Sequence, residues 1–279
     1  MKAGYKTFPE QIRIENTTAC NAKCTICPRE KLSRLTGTMS FKDFCAIIDQ
    51  CDPLLLKDLH LQGFGEHLLE KCFAEKIRYA REKLPKTRLF FVTNASLLKD
   101  ELAKDIILSG VDKIKISFYG INSQDYENIH KPLKFEAIKQ NILDFIQMKK
   151  ELGSRKPKLS VKYIGSIPQF IRFAFQWAGK ARVEFSHFHN YGKGRNYRAQ
   201  KKNEKPLCPM VSRPIMQILW NGDAVPCCYD FNGEYVIGNV LKSGLRQVWE
   251  STSYQSLRKL NKDHKITSIP ICKRCDKIR

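Results

Sequence analysis

No stretch of this chain approaches eighteen uninterrupted apolar residues, and its opening segment, residues 1–11, has no apolar h-region. These absences exclude a helical membrane span and a secretory signal, so the expected location is the cytoplasm, with no membrane partner. Long low-complexity tracts are also missing, and 42% hydrophobic with 28% charged residues over 279 positions is enough for a full core. Acidic side chains are scarce beside basic ones, 28 against 49, for a formal charge of +21. A field of that sign concentrates anionic partners, whether phosphorylated, carboxylated or nucleic acid. The basic residues are scattered, with only short clusters such as Lys201-Lys202 and Lys273-Arg274, which argues against a dedicated nucleic-acid-binding tail. The histidines, His60, His67, His130, His187, His189 and His264, share no metal-binding spacing beyond the alternation of His187 and His189. They are read as core or site-lining groups.

What the chain does have is an alternation of short β-rich runs with amphipathic helical stretches over its first two thirds. The strand candidates are 12–15, 58–61, 88–93, 113–118, 159–164 and 182–188. The helix candidates between them are 41–51, 69–84, 99–109, 135–152 and 167–178, three of which are followed by Gly110, Gly153 and Gly179 as stops. Six units are too few to close an eight-stranded barrel, so the expected fold is α/β, a partial (β/α)6 TIM-like barrel over residues 1–195 with its chemistry at the C-terminal strand ends. The pattern then changes to a lysine-rich linker, and residues 196–279 read as a small cysteine-rich module of one β-hairpin (214–220 and 224–229) and two short helices (245–250 and 254–260).

Eleven cysteines in a cytoplasmic chain point to metal ligands or catalysts, not disulfides. Directly after the first strand, Cys20, Cys24 and Cys27 form a Cys-x3-Cys-x2-Cys loop. Three thiolates ligate three irons of a four-iron cluster and leave the fourth iron open to a small molecule. Zinc is the competing metal, but it asks for a fourth ligand and no cysteine or histidine stands close by.

This loop resembles the signature of the radical S-adenosylmethionine (SAM) superfamily, and the resemblance extends along the whole chain. It implies that Cys20, Cys24 and Cys27 hold a [4Fe-4S] cluster whose open iron binds the amino and carboxylate groups of SAM. Electron transfer then splits SAM into methionine and a 5′-deoxyadenosyl radical that abstracts a substrate hydrogen, with a flavodoxin- or ferredoxin-type donor supplying the electron. Gly63-Phe64-Gly65-Glu66 is similar to the superfamily's Gly-Glu motif for the methionine amino group: glycine admits SAM close to the backbone, and a carboxylate suits an ammonium. Thr93-Asn94-Ala95 is similar to its Thr-Asn-Gly, and Ser117 corresponds to a serine near SAM. Three positions depart from the pattern: Ala95 replaces glycine, Phe118-Tyr119 an aliphatic-acidic pair, and His67 proline. Apart from the resemblance, Asn94 and Ser117 also suit helix caps, and Glu66 an exposed loop acid.

A second constellation comprises Cys208, the Gly222-x4-Cys227 step, and Cys272-x2-Cys275. Four thiolates complete a cluster shell with no open position, which favours electron transfer; a four-cysteine zinc site has the same ligand set. The arrangement resembles the twitch domain, the shortened relative of the SPASM domain, and so implies an auxiliary [4Fe-4S] cluster on Cys208, Cys227, Cys272 and Cys275. The remaining Cys45, Cys51, Cys72 and Cys228 are too dispersed for a third cluster. Cys45, Cys51 and Cys72 fit helices as small buried residues. Cys228 is open to three roles: a stray hairpin residue, an alternative ligand, or a hydrogen-atom donor.

Relatives with this shortened domain include the aminocyclitol dehydrogenase of butirosin biosynthesis, in which a hydroxyl-bearing carbon loses a hydrogen atom, a proton and an electron. The expectation is therefore oxidation of a small polyhydroxylated or anionic molecule, a sugar, a cyclitol or a nucleotide-linked form, with the auxiliary cluster as electron acceptor. His189 and Arg195, leaving the last barrel strand, are candidates for substrate contact or proton removal. One alternative is a peptide maturase or epimerase, weakened because only nineteen residues precede Cys20. A more distant one is a zinc-stabilised nucleic-acid-binding protein, which explains the first cysteine loop poorly.

Overall fold

The computed structural model describes residues 6–191, 194–198, 204–273 and 275–278. Lys201-Lys202, Gly192-Lys193 and Arg274 lie outside the described residues.

Strand and helix alternate from the start, because each apolar face needs a partner layer. β1 (Gln11–Ile14) leads into a long cysteine-bearing loop containing the short β2 (Lys23–Cys24), then α1 (Phe41–Ile48), β3 (Asp58–Leu61), α2 (Phe73–Lys83), β4 (Arg88–Thr93), α3 (Asp100–Leu108) and β5 (Lys113–Ser117). α4 (Ser123–Ile129), β6 (His130–Lys131), α5 (Phe135–Glu151), β7 (Lys158–Ile164), α6 (Ile167–Trp177) and β8 (Arg182–Ser186) follow. All six expected strands and five expected helices are present, with ends shifted by a few residues. Gly110, Gly153 and Gly179 take positive φ after their helices, as their reading as stops requires. α4 was missed because it buries only Tyr126 and shows no apolar period; its start is fixed by the Asn122 side chain, which accepts from Asp125 N–H.

The strands run parallel in the order β1-β3-β4-β5-β7-β8, an open, partial barrel. Period-two alternation sends Ile12, Ile14, Leu59, Leu61, Ile114 and Ile116 into the core under the helices. The hairpin is not free-standing. Its first strand, β9 (Ile215–Ile218), pairs parallel with β1 from Gln11↔Ile215 to Ile14↔Ile218, so the sheet continues into β10 (Asp223–Val225) and β11 (Gly238–Asn239). An uncovered β1 would leave an open edge of backbone donors and acceptors, and all four residues of β9 are buried in closing it. α7 (Val240–Ser243), α8 (Leu245–Trp249) and α9 (Thr252–Lys262) pack beside the hairpin. Among the described residues no helix is long and apolar enough to cross a membrane.

Candidate active site

The C-terminal strand ends of the barrel and the loop after β10 enclose a cavity of about 300 Å³. Cys20, Cys24, Cys27, Gly63, Gly65, Glu66, Thr93, Asn94, Ser117, His189, Cys227 and Cys228 all line it. Arg195, Cys208, Cys272 and Cys275 do not.

The first cysteine loop is held from several sides. Thr18 N–H donates to Gly37 O at 2.9 Å, and Glu66 N–H donates to Ala19 O at 2.8 Å. β2 pairs with β6, and Arg29 Nη2 donates to Ala22 O at 3.2 Å. Asn94 Nδ2 donates to Asn21 Oδ1 at 3.0 Å, while Asn21 Nδ2 reaches Ser96 Oγ at 2.8 Å. Burial raises all three thiols, Cys24 to about 12; Cys27 and Cys20 further oppose ionisation of Cys24, and Cys20 that of Cys27.

Glu66 is buried and spends its oxygens on the chain itself: Thr93 Oγ1 donates at 2.6 Å, Asn94 N–H at 2.7 Å and Leu68 N–H at 3.3 Å. Burial lifts its carboxyl to about 6. It therefore ties the end of β3 to the end of β4 at the cavity wall. The glycines before it answer to packing against the protein as well: a Cβ on Gly65 would meet Thr17 O at 2.3 Å, and one on Gly63 would meet the Glu15 side chain at 2.4 Å. Ala95 holds φ +62, a left-handed backbone that explains the glycine usual there. Ser117 accepts from Tyr119 O–H at 3.0 Å, and His67 is fully buried, stacked on Phe73.

Arg195, a candidate for substrate contact or proton removal, does not line the cavity and holds the cysteine loop. Its guanidinium donates to Cys27 O and pairs with Glu30 at 2.9 Å. These two acceptors on the neighbouring loop draw it away from the cavity. His189 does line the cavity, and its Nδ1 lies 3.3 Å from Asp276 Oδ2. A carboxylate only accepts, so the Nδ1 proton faces Asp276 and the Nε2 lone pair is the basic one. Burial lowers the His189 pKa, and Asp276 partly offsets this.

His130, grouped by sequence only with the core or lining histidines, has a defined place. Its Nε2 accepts from Tyr119 N–H at 3.3 Å, which leaves the Nδ1 proton towards Cys24 Sγ, 3.2 Å away. Burial holds the ring neutral, with a pKa lowered to about 3. Sequence offered no signal for this, since His130 meets Cys24 only through the β2–β6 pair.

Of the second set, Cys208, Cys272 and Cys275 are buried behind Cys227, and the four thiols act on one another's charge. Asn261 fixes Cys208, accepting from its N–H at 2.7 Å and donating to its carbonyl at 3.2 Å. Cys272 O accepts from Cys275 N–H at 3.1 Å in the tight turn of the Cys-x2-Cys pair. Cys228 Sγ faces Arg13 Nη1 at 3.6 Å. Cys51 is buried as expected, but Cys45 and Cys72 are only partly so. All eleven cysteines are free thiols. Among the described residues no three Cys, His, Asp or Glu side chains converge on a single-ion position. Thiolates suit iron–sulfur clusters, which distribute their ligands over separate irons.

Residues 14–165 match the radical SAM superfamily, and residues 208–276 match an iron–sulfur cluster-binding domain, SPASM. The S-adenosyl-L-methionine-dependent 2-deoxy-scyllo-inosamine dehydrogenase of Niallia circulans is 21% identical, over 96% of this chain and 92% of its own length. A tungsten-containing aldehyde ferredoxin oxidoreductase cofactor-modifying protein of Pyrococcus furiosus is also 21% identical, over 93% of this chain and 86% of that protein. Among solved structures, BtrN in complex with AdoMet and 2-DOIA superposes with a TM-score of 0.70 at 19% identity, covering 97% of this chain and 94% of BtrN. Streptococcus suis SuiB bound to the precursor peptide SuiA gives 0.74 at 17% identity, covering 97% of this chain and 71% of SuiB.

Proposed function

Because the chain belongs to the radical SAM superfamily, we propose that it oxidises a hydroxyl-bearing carbon of a small polyhydroxylated substrate, such as a sugar, a cyclitol or a nucleotide-linked form. The observation that carries this reading is that Cys20, Cys24 and Cys27 share one cavity with Cys227, a member of the second thiol set. The full-length similarity to a SAM-dependent inosamine dehydrogenase supports it. When bound, SAM on the three-cysteine cluster supplies hydrogen-atom abstraction, and a cluster on Cys208, Cys227, Cys272 and Cys275 supplies an acceptor for the remaining electron. The protein's own residues do the rest. His189, oriented by Asp276, accepts the substrate hydroxyl proton at Nε2. Arg29 and Arg195 fix the cysteine loop through its carbonyls, and Glu66 with Thr93 and Asn94 shapes the wall where SAM lies. A flavodoxin- or ferredoxin-type protein delivers the first electron.

A second reading, peptide maturation or epimerisation, draws on Cys228, whose thiol lines the cavity where a hydrogen-atom donor would stand. One experiment separates the two: the reconstituted enzyme is incubated with SAM, a reductant and, in parallel, polyols and peptides. A polyol product lighter by two hydrogens supports oxidation. Product from a peptide alone, with only uncoupled SAM cleavage from polyols, overturns it.

A further inference from the structure

The charges around the cavity are unevenly satisfied. Its carboxylates already have donors within the protein. Arg34 Nη2 donates to both Glu15 oxygens at 2.7 and 2.8 Å, Glu66 is held as described, and Asp230 accepts from Glu234 N–H at 2.8 Å and Tyr235 N–H at 3.0 Å. Lys162, at the C-terminal end of β7 and in register with Ser117, also lines the cavity, yet no hydrogen bond or ion pair reaches its ammonium among the described residues. Its strand neighbour Glu184 is taken by Lys113 at 2.6 Å and Lys115 at 3.7 Å. Arg13, on β1, faces the Cys228 thiol at 3.6 Å. A cavity that leaves a cation open and no acid open is complementary to an anion, and it opposes an ammonium.

We propose that the substrate carries an anionic oxygen group, a phosphoryl or a carboxylate, and that Lys162 binds it on the Cys228 side of the cavity. This rests on the cavity being the site of substrate oxidation. It separates the chain from its inosamine-oxidising relative, whose substrate bears an amine. The cavity lining includes both Lys162 and Cys228; the ammonium acts first on Glu184, which Lys113 and Lys115 already hold, and then on Cys228, whereas the Cys24 and Cys27 thiols feel Arg29 and Arg195. Burial disfavours the charged lysine, and a bound anion would reverse that cost. A charge-assisted contact of this kind is worth about tenfold or more in affinity.

The test is anaerobic calorimetry on SAM-loaded holoenzyme with myo-inositol 1-phosphate, glucuronate, myo-inositol and 2-deoxy-scyllo-inosamine. At least one of the two anions is expected to bind about tenfold or more tighter than myo-inositol. Which anion wins identifies the group. Lys162→Met is expected to abolish that preference and Lys162→Arg to keep it. The proposal is overturned if neutral and anionic probes bind alike, or if the preference survives Lys162→Met. It also fails if Lys162→Met weakens SAM binding equally, which would assign the ammonium to the SAM carboxylate. A shift in the second cluster's potential with anion binding intact would make Lys162 that cluster's counter-charge and equally sink the idea. Failure of the oxidation reading looks different: the Lys162-dependent preference persists while only a peptide gives product.

Discussion

The two thiol sets are built in opposite ways. Cys20, Cys24 and Cys27 sit half-buried on a loop that opens into the cavity, and their positions depend on hydrogen bonds from surrounding side chains. Cys208, Cys272 and Cys275 are buried among the residues that fill the C-terminal core, and only Cys227 reaches the cavity wall. An open set can admit a small molecule to a reactive iron; a closed one exchanges electrons and also contributes to the core. Damage to the first should therefore appear as lost chemistry, and damage to the second as lost chemistry and lost stability together.

The largest effect is expected from Cys24→Ala: 5′-deoxyadenosine formation falls to background and about four of about eight irons per chain are lost, with the melting temperature nearly unchanged. Cys272→Ala should remove the other irons and lower the melting temperature. Uncoupled SAM cleavage survives while oxidised product disappears. Continued product formation would break the contrast by removing the second set from the reaction.

Beneath the first set, Lys76 is fully buried and donates to Asn16 Oδ1 at 2.8 Å, Met39 O at 2.5 Å and Glu70 Oε1 at 2.5 Å. Lys76→Ala removes the counter-charge of Glu70, leaving it only the Asn16 amide and the Cys72 thiol as donors, and should cost about 3–5 kcal/mol in urea unfolding. A loss below 1 kcal/mol would show that the open loop does not depend on this anchor.

Asp276→Asn probes the wall between the sets. His189 must be neutral to accept a proton, and its pKa lies below 6.5, so the rate climbs with pH through a value below 6.5 and then levels. Removing the Asp276 charge takes away an interaction that raises that pKa, so the limb moves to lower pH. The plateau should fall by up to about a hundredfold through lost orientation. An unmoved pH profile would exclude His189 as the base.

The smallest effect sharpens the comparison electrostatically. His130 donates to Cys24, and a donor to a ligand sulfur raises a cluster's reduction potential. His130→Phe should lower the midpoint of the first cluster in a redox titration and leave the second unmoved, and His130→Gln should restore part of the loss. Equal shifts in both clusters would point to a general structural change.

Much of this was readable beforehand where a rule acts along the chain. Alternation located β3 and β4 to the residue, the three glycines ended their helices, and Cys-x3-Cys-x2-Cys lay in a strand-to-helix loop. The contacts of Arg195 are not legible in the sequence because its partners, Cys27 O and Glu30, stand more than 160 residues away. That the hairpin's β9 pairs with β1 is not legible in the sequence, because nothing local reveals the pairing. Lys162 passed unnoticed because a lysine in a strand ordinarily points to solvent.

The sequence by itself determined which residues are thiols, where strands begin and stop, and which loops follow strand ends, since spacing and periodicity are properties of neighbours. Only the tertiary structure decided that Cys227 of the second set joins the first set at one cavity, that His130 serves Cys24, and that among the described residues the open charge on the cavity wall is positive. Those facts depend on β9 closing the edge of β1 and on β7 standing beside β5, pairings between segments distant in the chain whose specificity comes from packing.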